Sequence, residues 1–208
     1  MVTVAILGAV LLVTTVHECG HWAMARMRGA AVISVKLGRG PTLGVFRSDG
    51  TEYALALLPL GGRVHCERLE SEAANAMIAA AGPAANLLFG FVVLAGAAAL
   101  LGVDAMPRNG GFDGAAAYAH GTVLSWAGVV FQIIGGWLGI SRGPGLGAIA
   151  RLVEIAHSPG LAPKLYFVAV LSTLWGILNL VPTPVVHSDG WHVAAAGVRR
   201  VRKWVSRG

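Results

Sequence analysis

His17, Glu18 and His21 stand in the order H-E-x-x-H inside the stretch VTTVHECGHWAMA, residues 13–25. On a helix, residues four apart project from one face with their side chains about 6 Å apart. Both imidazoles can therefore bind one Zn²⁺. Glu18, next to His17, can reach a water in an open metal position and accept its proton. The surrounding residues read as a membrane helix, where ionisable groups are costly and usually functional. Three on one helical turn are hard to explain without a ligand.

A catalytic zinc site built on two imidazoles needs a third protein ligand and leaves one position for water. The chain has only ten acidic residues. Most fall in polar loops; Asp189 alone follows directly on an apolar stretch. His17 lies roughly 22 Å along a crossing of about 30 Å, so the site belongs near the inner face, at a depth Asp189 can share. Taken alone, Asp189 in SDG would read as a turn residue. His187 and His192 flank it and could also be ligands, although neither has a spacing signature. Cys19 points away from the two histidines and reads as helix packing. Asn86 and Asn179 are single amides in apolar helices, where each could hold a neighbouring helix or a peptide backbone.

The elements that must position these groups belong in a bilayer. Of the 208 residues, 55% are hydrophobic and 12% charged, with mean hydropathy +0.67, well beyond ordinary soluble composition. The run from Val2 to Ala25 is too long for a cleaved secretion signal and reads as retained. Two cysteines, Cys19 and Cys66, are too few for a disulfide framework. Four apolar stretches approach the roughly 20 residues a crossing needs: 2–25, 76–101, 123–140 and 165–181. Seven of the 16 Lys and Arg residues lie between the first two stretches, and five lie in the tail 193–208. Positive charge of this kind marks cytoplasmic segments rather than a nucleic-acid surface.

Parity then sets the topology. With the N-terminus outside and the basic tail cytoplasmic, the first, second and fourth stretches cross and the third does not. Gly128, Gly135, Gly136 and Gly139, with Gln132 near the centre, make 123–140 a re-entrant or surface helix. Residues 32–65 differ in kind. VISVKL, TLGVF and EYALALL are rich in β-branched and aromatic residues, and Ser48-Asp49-Gly50-Thr51 is a hairpin turn signal. The expected fold is an α-helical integral membrane protein, one domain over 1–208. It has a three-helix transmembrane core, a small membrane-associated β-sheet and one re-entrant or surface helix.

Together these residues resemble the site-2 protease family of intramembrane zinc metalloproteases. HECGH matches the family's H-E-x-G-H, and TEYALALLPLGGRV is similar to the sheet and loop that follow its first helix. AAAGPAANLLFG resembles its G-P-x-x-N signature, and GILNLVPTPVVHSDGWH its N-x-x-P-x-P…D-G motif. The resemblance implies His17, His21 and Asp189 as zinc ligands, Glu18 as general base and Asn179 as a substrate-backbone contact. It also implies a single-span membrane protein as substrate, such as an anti-sigma factor, and a bacterial cell membrane as the location. Two features depart from the family pattern. PVVHSDG places two extra residues before Asp189, which keeps His187 as an alternative ligand. The segment 102–118 is too short for the PDZ domain many bacterial members carry, so a minimal core is expected.

A rival reading is a non-hydrolytic metal-binding membrane protein, either a transporter or an inactive scaffold for client helices. A transporter should line a path with paired polar groups, yet the second stretch holds only Asn86. A scaffold would have no need of Glu18.

Overall fold

The computed structural model describes residues 2–107, 114–137, 145–182 and 189–205. The elements in chain order are α1 (Val2–Met27), β1 (Val32–Ser48), β2 (Thr51–Cys66), α2 (Glu72–Leu101), a 3₁₀ turn (Val103–Ala105), α3 (Ala115–Trp137), α4 (Gly145–His157), α5 (Leu161–Leu180) and α6 (Asp189–Val205). Four of these helices are long and apolar enough to cross a membrane: α1, α2, α3 and α5. Each carries large apolar side chains on its outside, among them Val4, Leu100, Phe131 and Leu161. Such surface is unfavourable in water and matched by lipid tails. The protein is an α-helical membrane protein with a small β-hairpin.

Two elements were not expected from the sequence, and a third bears on topology. The third stretch, expected to be a re-entrant or surface helix, forms one regular helix over Ala115–Trp137, as a surface-lying helix would, and its described part is also long and apolar enough to cross a membrane; residues 138–140 lie outside the described residues. Its glycines do not break it, because in apolar surroundings backbone groups must bond within the helix whatever the propensity. The connector after it contains the 13-residue helix α4, which the Gly-rich sequence had hidden. The basic tail is itself helical, as α6.

The chain divides into two compact units, each described by itself. One comprises residues 1–9 and 87–178. Its core includes Leu94, Tyr118, Trp126, Tyr166 and Val170. The Trp126 indole N–H donates to the Tyr166 hydroxyl at 3.0 Å, both buried, which removes a donor that would cost about 1–3 kcal/mol if left unpaired. Gly90 lets α2 approach the Ala169 carbonyl and Thr173 of α5.

The other unit, residues 10–86 and 179–208, holds the hairpin and all the motif residues. Asp49 (φ 48) and Gly50 (φ 74) make the turn between the strands, as a primed hairpin turn requires. The strands are long and the pairing folds back on itself: Ser34–Leu37 pairs with Gly62–His65 on one side and Glu52–Leu55 on the other. One sheet face is closed by Ala25, Ala30, Val32, Val35 and Ile78, with Trp22, Tyr53 and Val64 packed against them. The start of α2 is anchored twice. Asn75 bonds reciprocally to the backbone N–H and C=O of Leu69 at 3.0 and 2.7 Å. Glu72 accepts from Arg68 at 2.7 Å and from Arg199 of α6 at 3.0 Å.

Candidate metal centre

α1 is helical through the H-E-x-x-H residues, so His17 and His21 lie one turn apart, both buried. Their imidazoles meet edge to face with centroids 4.8 Å apart, and their Nε2 atoms are 3.2 Å apart. Asp189, the first residue of α6, brings Oδ2 to 2.9 Å from His17 Nε2 and 3.4 Å from His21 Nε2. Three donor atoms therefore converge on one point. Atoms bound to one tetrahedral zinc at about 2.0–2.1 Å stand roughly 3.3 Å apart, so the three observed separations fit the ion. Among the described residues, these form the one cluster of three or more His, Cys, Asp or Glu able to hold a metal. Burial pushes the Asp189 carboxyl up, but the His17 and His21 side chains beside it outweigh that and hold it down at about 2. Asp189 is thus the anion that a cation site requires.

Three neighbours shape the cluster. His21 Nδ1 lies 2.7 Å from the Ile78 carbonyl. A carbonyl only accepts, so Nδ1 carries a proton, and in the neutral ring Nε2 would be left to bind a metal. Gly82, at the end of the AAAG run in α2, leaves the room His21 occupies: a Cβ there would overlap the imidazole. Glu18 is 5% exposed and lies against β2. At Gly62 a Cβ would stand 2.6 Å from its Cγ and 2.8 Å from its Oε1.

The remaining expected residues separate clearly. Asn179 sits half-buried in the last turn of α5. His192 lies in α6 but outside the cluster, and His187 lies outside the described residues. Cys19 is exposed rather than packed, which corrects the packing role expected for it. The residue least visible in the sequence is Asn86, wholly buried, with its amide nitrogen 3.1 Å from His17 Nδ1. The partners are 69 positions apart, so no local spacing could reveal the contact; a lone amide in an apolar helix and its place in the G-P-x-x-N resemblance were the signals.

A family model for peptidase family M50 matches residues 5–207. The chain belongs to peptidase family M50. This is the site-2 protease family that the four sequence motifs resemble. Among curated relatives, a putative zinc metalloprotease of Synechocystis is 30% identical over 49% of this chain and 32% of its own length. The regulator of sigma-E protease RseP of Escherichia coli is 40% identical over 36% of this chain and 20% of its own. The zinc metalloprotease Rip1 of Mycobacterium tuberculosis is 44% identical over 26% and 13%. The chain thus covers a third or less of each of these M50 relatives.

Proposed function

We infer that this M50 protein is a zinc-dependent intramembrane endopeptidase, with His17, His21 and Asp189 as ligands and Glu18 as general base. The convergence of two imidazole nitrogens and a carboxylate oxygen beside a buried glutamate carries the reading. Zinc, when bound, supplies Lewis-acid chemistry, polarising a carbonyl and acidifying water. Glu18 takes the proton of the attacking water and returns it to the leaving amine. Helical peptide carbonyls are covered by their own hydrogen bonds, so the substrate must first unwind. An edge of the sheet, with Gly62–His65 running past Glu18, accepts the unwound segment as an added strand. Asn179, at the end of α5, bonds the substrate backbone.

The substrate class is a single-span, membrane-anchored regulatory protein, cut within or beside the bilayer. An anti-sigma factor would fit, in keeping with the name of the sigma-E protease relative. The enzyme resides in a bacterial cell membrane, with its N-terminus outside and α6 on the cytoplasmic side. The test compares membrane proteomes of cells expressing the parental chain and Glu18→Gln. A single-span protein accumulating only with the variant supports the reading and names the substrate. Identical proteomes, with both proteins expressed and folded, would overturn it in favour of a non-hydrolytic scaffold.

A further inference from the structure

We propose that Asn86 is a positioning residue for the metal site: its amide oxygen accepts the Nδ1 proton of His17 and so fixes which ring nitrogen faces the ion. The proposal rests on the zinc reading above and adds a residue to it.

The argument begins from α2. Ile78, Gly82 and Asn86 recur every four residues, so they form one stripe of the helix. Each meets a metal-site histidine: Ile78 through its carbonyl on His21 Nδ1, Gly82 through the space it leaves for the His21 ring, and Asn86 through its amide on His17 Nδ1. A neutral imidazole carries one proton. When Nε2 binds a metal the proton sits on Nδ1, which then needs an acceptor. For His21 that acceptor is a backbone carbonyl and cannot fail. For His17, among the described residues, the Asn86 amide stands at Nδ1, at 3.1 Å. Its nitrogen cannot accept, but a half-turn of the amide about its last side-chain bond puts the oxygen in the same place. The pair of contacts then becomes equivalent: two Nδ1–H donors, two oxygen acceptors, and both Nε2 lone pairs left for a cation that Asp189 would share. Partners of this kind orient the ring and typically strengthen metal binding by about 10–100-fold. A purely structural helix–helix hydrogen bond would use either end of the amide and would not care which.

Zinc affinity of the purified full chain, measured by chelator competition at about pH 8, tests this. Parental protein is compared with Asn86→Leu, Asn86→Asp and His17→Ala, with the Tm of each metal-free protein as control. Asn86→Leu keeps the side chain's size and removes the acceptor, and its zinc affinity is expected to fall about 10–100-fold with no matching loss of metal-free Tm. Asn86→Asp, ionised, accepts but cannot donate, and is expected to stay within a few-fold of parental. Parental affinity in Asn86→Leu overturns the proposal, as does a fall in Asn86→Asp equal to that in Asn86→Leu. If Asn86→Leu does not fold, Asn86→Asp decides alone, zinc retention supporting the acceptor and zinc loss overturning it. Should the parental chain hold zinc no better than His17→Ala, the zinc reading fails and takes this proposal with it.

Discussion

Asp189 Oδ2 lies 2.9 Å from His17 Nε2, although 172 positions separate the two residues. An apolar interior does not bring a carboxylate to two imidazoles without reason, since each buried polar group forfeits its hydration. Here α6 starts at the aspartate itself, and the Arg199–Glu72 ion pair ties the same helix to the start of α2.

Metal content should depend on all three residues of the cluster. An open zinc site that loses one of three protein ligands retains too few to hold the ion. Elemental analysis of purified Asp189→Ala should find zinc largely lost, as in His17→Ala and His21→Ala. Full occupancy in Asp189→Ala together with loss in His187→Ala would transfer the third ligand to His187.

Glu18→Gln should keep zinc and fold while losing cleavage. The amide is nearly isosteric with the carboxylate but cannot accept the proton of the attacking water. General-base loss typically costs about 10²–10⁴ in rate. Cleavage of a membrane substrate at the parental rate by a zinc-loaded Glu18→Gln would remove the glutamate from the mechanism.

The two glycines that wall the site should fail in different ways. At Gly82 an added methyl meets the His21 ring, whereas at Gly62 it meets the Glu18 carboxylate. Overpacking of this kind costs about 1–3 kcal/mol. Gly82→Ala is therefore expected to weaken zinc binding, and Gly62→Ala to slow cleavage with zinc retained. Paired zinc titrations and single-turnover assays read the difference, and equal zinc loss in both variants would show that Gly62 shapes the metal pocket as well.

The parts of this site legible in the sequence are those whose partners lie within one helical turn. His17, Glu18 and His21 announce their geometry through a spacing of four. The hairpin was equally readable, because Asp49-Gly50 demands a particular turn and β-branched and aromatic residues on either side mark the strands. Asp189 was legible only by its position after an apolar stretch, since its partners are distant in sequence. Asn86 was not legible at all as a neighbour of His17. α4 and α6 were missed for another reason: SRGPGLG and a run of arginines look like loop and tail, while the periodicity within each helix is short.

Residues 102–160 should begin and end on the same side of the membrane, although α3 is long and apolar enough to cross. The contact of Asp189 with His17 and His21 carries the argument. His17 stands beyond the midpoint of α1, toward the end at Met27, which leads into the Arg-rich hairpin. Asp189 follows the end of α5 at Leu180 by only nine positions, so α5 is expected to end on the side of the membrane that His17 is near. With α2 running back, the chain between α2 and α5 can make only an even number of crossings. α4 cannot supply a second one, because its 13 residues reach only about 20 Å of the roughly 30 Å hydrocarbon core. α3 is therefore expected to lie along the surface rather than to cross. The five Lys or Arg within residues 199–207 ask for the same result, since such a cluster favours the cytoplasm. Cysteine labelling of intact cells, at single sites introduced at positions 114, 145 and 206 in a chain lacking Cys19 and Cys66, measures it. External labelling is expected at 114 and 145, and protection at 206. Protection at 145 with labelling at 206 would place α3 across the bilayer and put Asp189 on the wrong side to reach His17.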